Sequence, residues 1–311
     1  MTIGDLARSI ASLTTALVVA NASAIAQQLE PRSIPSRNVE SYSYQSPTMG
    51  NRYDISVGAP ANFRPAPGRK YPALVVTDGN LSFPIAVDAL RSLEGIVEDL
   101  FVISVGTPFE EGDSAHVRRR IYEFSPPGWG AMTDPFGKAV TKACSDYRSA
   151  PGRCVGGALE FLGFIATEVV PAVMKKYPVD PERLGLFGVS AGGFFASYAI
   201  FQPNSPFKAY IISSPAMAYG DGEIFRQEER YAAAKNDLEA RVYLGSGSLE
   251  ADDPFLEGIG RIVSGHVHFA AMLRSRKYPT LKLYSEIHPG LGHSDAAGTT
   301  LIRGLRLLYA K

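Results

Sequence analysis

The stretch Gly188-Val189-Ser190-Ala191-Gly192 decides which fold is expected for this chain. It has the pattern G-x-S-x-G, with an apolar run, 184–187, before it and a helix-like run, 193–200, after it. A serine in such a strand–turn–helix setting is held in a strained backbone conformation, and only small residues fit beside it. The pattern predicts that Ser190 is a nucleophile and that the Ala191 backbone nitrogen stabilises an oxyanion. The alternative is a plain strand–turn–helix connection.

Strand-like and helix-like runs alternate along most of the chain. Strands are predicted over 52–57, 73–76, 100–105, 184–187, 209–212, 242–244 and 281–284, and helices over 159–176 and 301–309. Apolar strands separated by helices indicate an α/β fold with a mostly parallel sheet covered on both faces. In such sheets the chemistry gathers at the carboxyl ends of the strands, so the loops there are expected to converge. These are the loops after Val76, Phe187, Leu244 and Tyr284.

A serine hydroxyl needs a base, and in an α/β hydrolase the chain order is serine, acid, histidine. His293 lies in a glycine-rich loop between the last strand and the last helix and is the predicted base, with His288 as the alternative. Glu250 follows the strand 242–244 and is the predicted acid, with Asp253 as the alternative. A further alternative is that these carboxylates form a solvated turn and that the enzyme uses only serine and histidine.

The second oxyanion donor is expected in the loop Asp78-Gly79-Asn80-Leu81, because glycine lets the backbone turn its nitrogens inward. The backbone nitrogen of Asn80 or of Leu81 is the predicted donor, and the sequence leaves both open. The pair His266 and His268 has a spacing that suits a metal. No cysteine or carboxylate cluster accompanies the pair, so a partly exposed segment is predicted and no metal site.

The 311 residues carry a formal net charge of zero, and 45% of them are hydrophobic. This size and composition suit one large globular domain, or at most two. The charge balance gives no basic face for nucleic acid and no polybasic membrane anchor. The longest basic run, Arg118–Arg120, is interpreted as part of a solvated loop. The sequence does not indicate an oligomeric state.

The N-terminus is typical of an exported protein. Arg8 precedes an apolar stretch, and Ala24-Ile25-Ala26 supplies a cleavage pattern, so residues 1–26 are predicted to be a signal peptide. The alternative is an N-terminal helix of the folded domain. Residues 27–40 are predicted to be a flexible leader before a catalytic domain over 41–311. Export implies a periplasmic or secreted protein.

An oxidising compartment favours one local disulfide between Cys144 and Cys154, the only two cysteines, although two unrelated thiols are the alternative. The surrounding residues, 109–155, are rich in proline, glycine, arginine and aromatic residues and are predicted to form a cap over the substrate pocket. Trp129, the only tryptophan, is either a substrate-stacking lid or a loop anchor.

Several motifs in order resemble the esterase family of the α/β-hydrolase superfamily, and most of all its bacterial periplasmic siderophore esterases of the enterobactin type. The matching motifs lie at 71–79, 120–126, 156–162, 188–193, 207–215 and 290–293. The resemblance implies the α/β-hydrolase fold, Ser190 as nucleophile and His293 as base. Two departures concern the substrate: Ala216–Tyr219 lacks a tryptophan that the family often has, and the cysteine-bearing insert precedes Gly156.

The function expected from these observations is hydrolysis of a small carboxylic ester through an acyl-enzyme, without a metal or an organic cofactor. An acyltransferase with the same nucleophile is the first alternative, and a non-catalytic binding protein of the same fold is the second. The sequence leaves the identity of the ester open.

Overall fold

The computed structural model describes residues 38–128, 135–146 and 154–311, and an eight-stranded sheet lies at their centre. The strands are β1 (Val39–Gln45), β2 (Arg52–Gly58), β3 (Tyr71–Val76), β4 (Phe101–Gly106), β5 (Val179–Val189), β6 (Phe207–Ser213), β7 (Arg241–Gly247) and β8 (Lys282–His288). They lie in the order β1-β2-β4-β3-β5-β6-β7-β8. β2 is antiparallel to both of its neighbours. The strands that follow it in this order, β4, β3, β5, β6, β7 and β8, are parallel to one another. The predicted mostly parallel sheet is confirmed.

Helices cover both faces of the sheet. They are α1 (Gly79–Ser92), α2 (Gly112–Phe124), α3 (Pro135–Asp146), α4 (Ala158–Phe164), α5 (Val170–Met174), α6 (Ala191–Ala199), α7 (Tyr219–Ala234), α8 (Ile262–Arg276) and α9 (His293–Leu308). Alternate residues of β3 enter two separate cores: Val75 packs in the larger one and Leu74 in the one beneath α1 and α9. Inner parallel strands such as β3 and β4 are therefore buried on both sides, as their continuous apolar runs predict.

The first strand was not predicted. β1 begins at Val39, inside the predicted leader of residues 27–40, which is therefore too long by two residues. Among the described strands, β1 pairs only with β2, at the edge of the sheet, and its exposed serines alternate with half-buried Tyr42 and Tyr44. Such a weak alternation at a sheet edge gives little apolar signal. The predicted signal peptide, residues 1–26, lies outside the described residues.

The predicted long helix over 159–176 is interrupted. A π-helical turn, Ile165–Val169, separates α4 from α5. Pro171 at the start of α5 has no N–H and cannot donate to the carbonyl four residues earlier, so the regular hydrogen-bond ladder breaks here. The closing helix, predicted over 301–309, begins earlier, at His293, and its first two turns, 293–300, mix polar residues with alanine and glycine.

The predicted cap, residues 109–155, is described in part. Arg118–Arg120 lies on α2 and not in a solvated loop, and Arg119 is buried. Trp129 lies outside the described residues, as does the side chain of Cys144, so the lid and the disulfide to Cys154 stay predictions. Within the described part of the chain, no helix is both long and apolar enough to cross a membrane.

Candidate active site

Ser190 sits on a sharp turn between β5 and α6. Its backbone has φ 59° and ψ −115°, a conformation that residues other than glycine rarely adopt. A Cβ at Gly188 would collide with the carbonyl oxygen of Gly192, and a Cβ at Gly192 would lie 2.6 Å from Thr77 Oγ1. Both glycines are therefore required by space. Ala191 is the first residue of α6, so its N–H has no acceptor within the helix.

Glu250 and His293 form a close pair. His293 Nδ1 lies 2.5 Å from Glu250 Oε1, and the Glu250 side chain is fully buried. The other carboxylate oxygen, Oε2, accepts from the Gly247 backbone nitrogen at 2.7 Å and from the Ser214 hydroxyl at 2.9 Å. A buried carboxylate with these partners is held in one orientation, so it fixes the imidazole ring as well. Sequence reasoning missed Ser214, although it directly follows β6.

The loop that carries Glu250 is bonded to the loop before His293. The backbone nitrogen of Leu249 donates to the Leu291 carbonyl at 3.0 Å, and that of Gly290 donates to the Ser248 hydroxyl at 2.9 Å. A Cβ at Gly247 would collide with the Leu291 carbonyl oxygen. This close approach of the ends of β7 and β8 brings the acid and the imidazole together.

The structure pairs Glu250, and not the alternative Asp253, with His293. Asp253 Oδ1 accepts from the backbone nitrogens of Phe255 at 2.8 Å and Leu256 at 2.9 Å, so it stabilises the next turn instead. Asp252 is exposed.

The other histidines lie apart from this pair. His288 is buried, its Nε2 lies 3.2 Å from Thr300 Oγ1, and burial lowers its pKa. The predicted H-x-H segment is partly exposed: His268 is exposed, whereas His266 is buried between the hydroxyls of Ser246 and Ser285 at 2.8 and 3.0 Å. Burial lowers the pKa of His266 to about 3. The described residues contain no group of three or more His, Cys, Asp or Glu side chains that could hold a metal.

The two predicted oxyanion donors after β3, the backbone nitrogens of Asn80 and Leu81, differ in their hydrogen bonding. Asp78 has φ 52° and precedes α1, and its carbonyl accepts from the Leu81 backbone nitrogen at 2.8 Å. Because this N–H is engaged, the prediction of Leu81 as a donor does not fit the geometry. The Asn80 side chain donates to the Thr107 carbonyl at 2.8 Å, which anchors the first turn of α1. The backbone nitrogen of Asn80 therefore stays the candidate.

A cavity of about 180 Å³ opens beside Ser190. The residues that line it are Arg120, Ile121, Ala139, Val140, Ser190, Ala191, Ala216, Tyr219, Phe255, Leu256, Gly260 and Ile262. Helices α2 and α3, both from the predicted cap, supply four of them. The wall is mostly apolar, with Arg120 as the charged side chain among these residues.

Arg120 connects the end of β3 to the serine turn. Its Nε donates to both carboxylate oxygens of Asp78, at 2.8 and 2.9 Å, and its Nη2 donates to the Val189 carbonyl at 3.1 Å. His116 Nε2 lies 3.8 Å from Asp78 Oδ1. Sequence reasoning placed Asp78 and Arg120 in two motifs but did not connect them, because the contact joins separate elements.

Comparisons with known proteins show similarity to esterases and hydrolases. The family model described as the prolyl oligopeptidase family matches residues 166–241, which include Ser190. The siderophore enterobactin esterase of Emericella nidulans is 32% identical over 216 residues, which is 64% of this chain and 65% of the relative. The ferri-bacillibactin esterase BesA of Bacillus subtilis is 26% identical over 64% of this chain and 66% of the relative. The chain thus spans just under two thirds of the length of these two relatives.

Solved structures match over a larger share of the chain. The BES protein from Bacillus cereus superposes with a TM-score of 0.73 and 27% identity, over 92% of this chain and all of that one. The siderophore hydrolase EstB from Aspergillus nidulans gives a TM-score of 0.71 with 25% identity, over 90% and 98% of the two chains. The predicted α/β-hydrolase fold and the predicted resemblance to siderophore esterases are confirmed.

Proposed function

We propose that this chain is a serine hydrolase of carboxylic esters, with Ser190 as nucleophile, His293 as base and Glu250 as the acid. The observation that carries the proposal is the 2.5 Å contact between His293 and the buried Glu250, in a chain that also holds Ser190 on a strained turn. Three of the relatives are named as siderophore esterases or hydrolases, which supports the same class of reaction.

Each group has one step in the proposed reaction. Ser190 Oγ attacks the ester carbonyl while His293 Nε2 takes the hydroxyl proton, and the carbonyl π electrons move to the oxygen. The backbone nitrogens of Ala191 and Asn80 stabilise that oxyanion. Collapse breaks the bond to the alcohol oxygen, which receives the proton from His293. Water, deprotonated by the same imidazole, then attacks the acyl carbon. The bond to Ser190 Oγ breaks, Oγ takes the proton back from His293, and the acid is released. Glu250 stabilises the imidazolium in both halves.

The finer proposal is that siderophore esters are among the substrates. The support is the similarity to the two esterases named above, one for enterobactin and one for ferri-bacillibactin. The reaction is tested with a panel of p-nitrophenyl, lactone, polyester and siderophore esters, with product acids identified by mass spectrometry. Added acceptor alcohols separate hydrolysis from acyl transfer, because a transferase forms the new ester. Absence of Ser190-dependent turnover on every ester contradicts the proposal.

Replacing Glu250 by glutamine is expected to lower kcat about 10³- to 10⁴-fold. The amide can keep the bonds from Ser214 and Gly247, but it cannot stabilise the imidazolium and can hold the wrong tautomer. Asp253→Asn is the matched control, and its rate is expected to stay within about threefold of wild type because its contacts are local. Steady-state kinetics on one p-nitrophenyl ester measures kcat for both variants. Small losses of kcat in both would favour a Ser–His dyad.

We also propose that the protein is exported, that residues 1–26 are cleaved off, and that residues 109–155 form a cap over the substrate pocket. The mature protein is expected to start near Gln27 and to carry one Cys144–Cys154 disulfide. In the chain-entropy model, closing so short a loop stabilises the fold by roughly 2–3 kcal/mol. Mass spectrometry of exported protein, with and without reductant, measures the position of the mature N-terminus and the presence of the disulfide. An uncleaved Met1 or two free thiols in the unreduced sample would contradict them.

A further inference from the structure

The cavity beside Ser190 presents a positive charge. Arg120 lines this cavity and its side chain is 26% exposed, whereas the side chain of its partner Asp78 is 5% exposed and is not among the described lining residues. The carboxylate therefore lies behind the guanidinium as seen from the cavity. The bonds to Asp78 and Val189 use Nε and Nη2, so Nη1 takes no part in them. Arg120 thus brings a cationic side chain to the cavity wall, and Asp78 is not part of the described wall.

The polar side chains that share the wall with Arg120, those of Ser190 and Tyr219, carry no negative charge that would oppose an anion. Burial raises the pKa of Tyr219 to about 12, so its hydroxyl stays neutral near pH 7. No Asp or Glu occurs among the described residues that line the cavity. The electrostatic environment there thus favours a negatively charged group over a neutral one of the same shape.

The position of the cavity indicates which half of the ester enters it. His293 must reach the alcohol oxygen in order to protonate it as it leaves. Ser190 and Ala191 line the cavity, but His293 and Glu250 are not among its described lining residues. The leaving alcohol therefore points toward His293, and the cavity holds the acyl group that stays on Ser190.

The volume limits the size of this acyl group. An apolar cavity of about 150 Å³ holds one benzene ring, and the cavity here measures about 180 Å³. It therefore has room for one ring, or an aliphatic chain of similar size, with a short polar substituent. Ile121, Val140 and Leu256 supply apolar contacts for the body of such a group.

We propose that Arg120 is a specificity-determining residue that selects esters of compact acids whose acyl group carries a second, anionic oxygen, such as a carboxylate, bonded to Nη1. This inference rests on the proposed ester hydrolysis and adds the class of acyl group to it. A charge-assisted hydrogen bond in a partly buried site is strong enough for at least a tenfold preference.

The test compares two p-nitrophenyl esters that differ only in charge, the 3-carboxybenzoate and the 3-carbamoylbenzoate. Each kcat/KM is divided by the rate of hydroxide-catalysed hydrolysis of the same ester, which removes the difference in intrinsic reactivity. Wild type is expected to prefer the carboxylate at least about tenfold. Arg120→Met is expected to bring the ratio near one, and Arg120→Lys to keep part of the preference. Arg118→Met, a change on the same helix outside the described cavity lining, is expected to leave the ratio unchanged.

The variant Arg120→Met leaves Asp78 buried without its ion-pair partner, which destabilises the fold. The double variant Asp78→Asn with Arg120→Met removes both charges and is expected to show the same loss of preference if the single variant does not fold. Two results overturn the inference: a normalised wild-type ratio near one, or an unchanged ratio in folded Arg120→Met. Ser190-dependent turnover in the same assays leaves the proposed function intact. Turnover that persists in Ser190→Ala contradicts the proposed function instead.

Discussion

Replacing Ser190 by alanine is expected to abolish ester hydrolysis, with kcat lowered by about four to six orders of magnitude and the fold unchanged. The hydroxyl oxygen forms the bond to the acyl carbon in the proposed reaction, and no other group can take its place. Alanine adds no atom to the crowded turn, where Ser190 N donates to the Ser213 carbonyl at 3.0 Å in either variant. Burst and steady-state kinetics with a p-nitrophenyl ester measure the loss.

Ser197→Ala is the matched control for this change. Ser197 is a buried serine on α6, and its hydroxyl donates to the carbonyl of Gly193 at 2.9 Å within the same helix. Its loss is expected to change the rate less than about threefold. Circular dichroism and a thermal melt of both variants separate lost chemistry from lost fold. A rate for Ser190→Ala within tenfold of wild type contradicts the assignment of the nucleophile.

Local sequence was sufficient for the serine turn. Gly188 and Gly192 are dictated by contacts within the turn and with the neighbouring strand end, and any chain that places a serine there needs residues of that size. The parallel strands were also predictable, because burial on both faces leaves continuous apolar runs such as Ala73–Val76. Both features depend on short-range sterics or on composition, which the sequence displays directly.

The sequence favoured Glu250 as the acid but left Asp253 open as the alternative. Glu250 and Asp253 lie three residues apart after β7, and either suits the chain order. The outcome depends on Gly247 approaching the Leu291 carbonyl and on the Ser214 hydroxyl from β6, which are contacts between separate loops. The burial of His266 between two serine hydroxyls likewise depends on contacts between separate elements, which a local reading of the sequence does not display.

Charge pairs between distant elements were missed in a similar way. Arg120 belongs to a basic run that resembles a solvated segment, yet it reaches Asp78 at the end of β3 and the Val189 carbonyl. A run of three arginines on a helix necessarily points in different directions, since neighbouring residues are separated by about 100°. Only the packing of α2 against the serine turn determines which arginine enters the cavity.

Replacing His293 by alanine is expected to lower kcat by about four to six orders of magnitude, because Ser190 then has no base and the alcohol has no proton donor. His288→Gln is the control, and its rate is expected to stay within about tenfold of wild type, since glutamine can keep a bond to Thr300.

Chemical rescue distinguishes a lost base from a damaged fold. The His293 side chain is 27% exposed, so its removal opens a space that solvent can reach. Added imidazole is therefore expected to restore part of the activity of His293→Ala, in proportion to its concentration, and to leave Ser190→Ala inactive. If His288→Gln were the inactive variant and His293→Ala kept its rate, the base would lie at the end of β8 itself. The pairing of Glu250 with His293 would then serve only to join two loops.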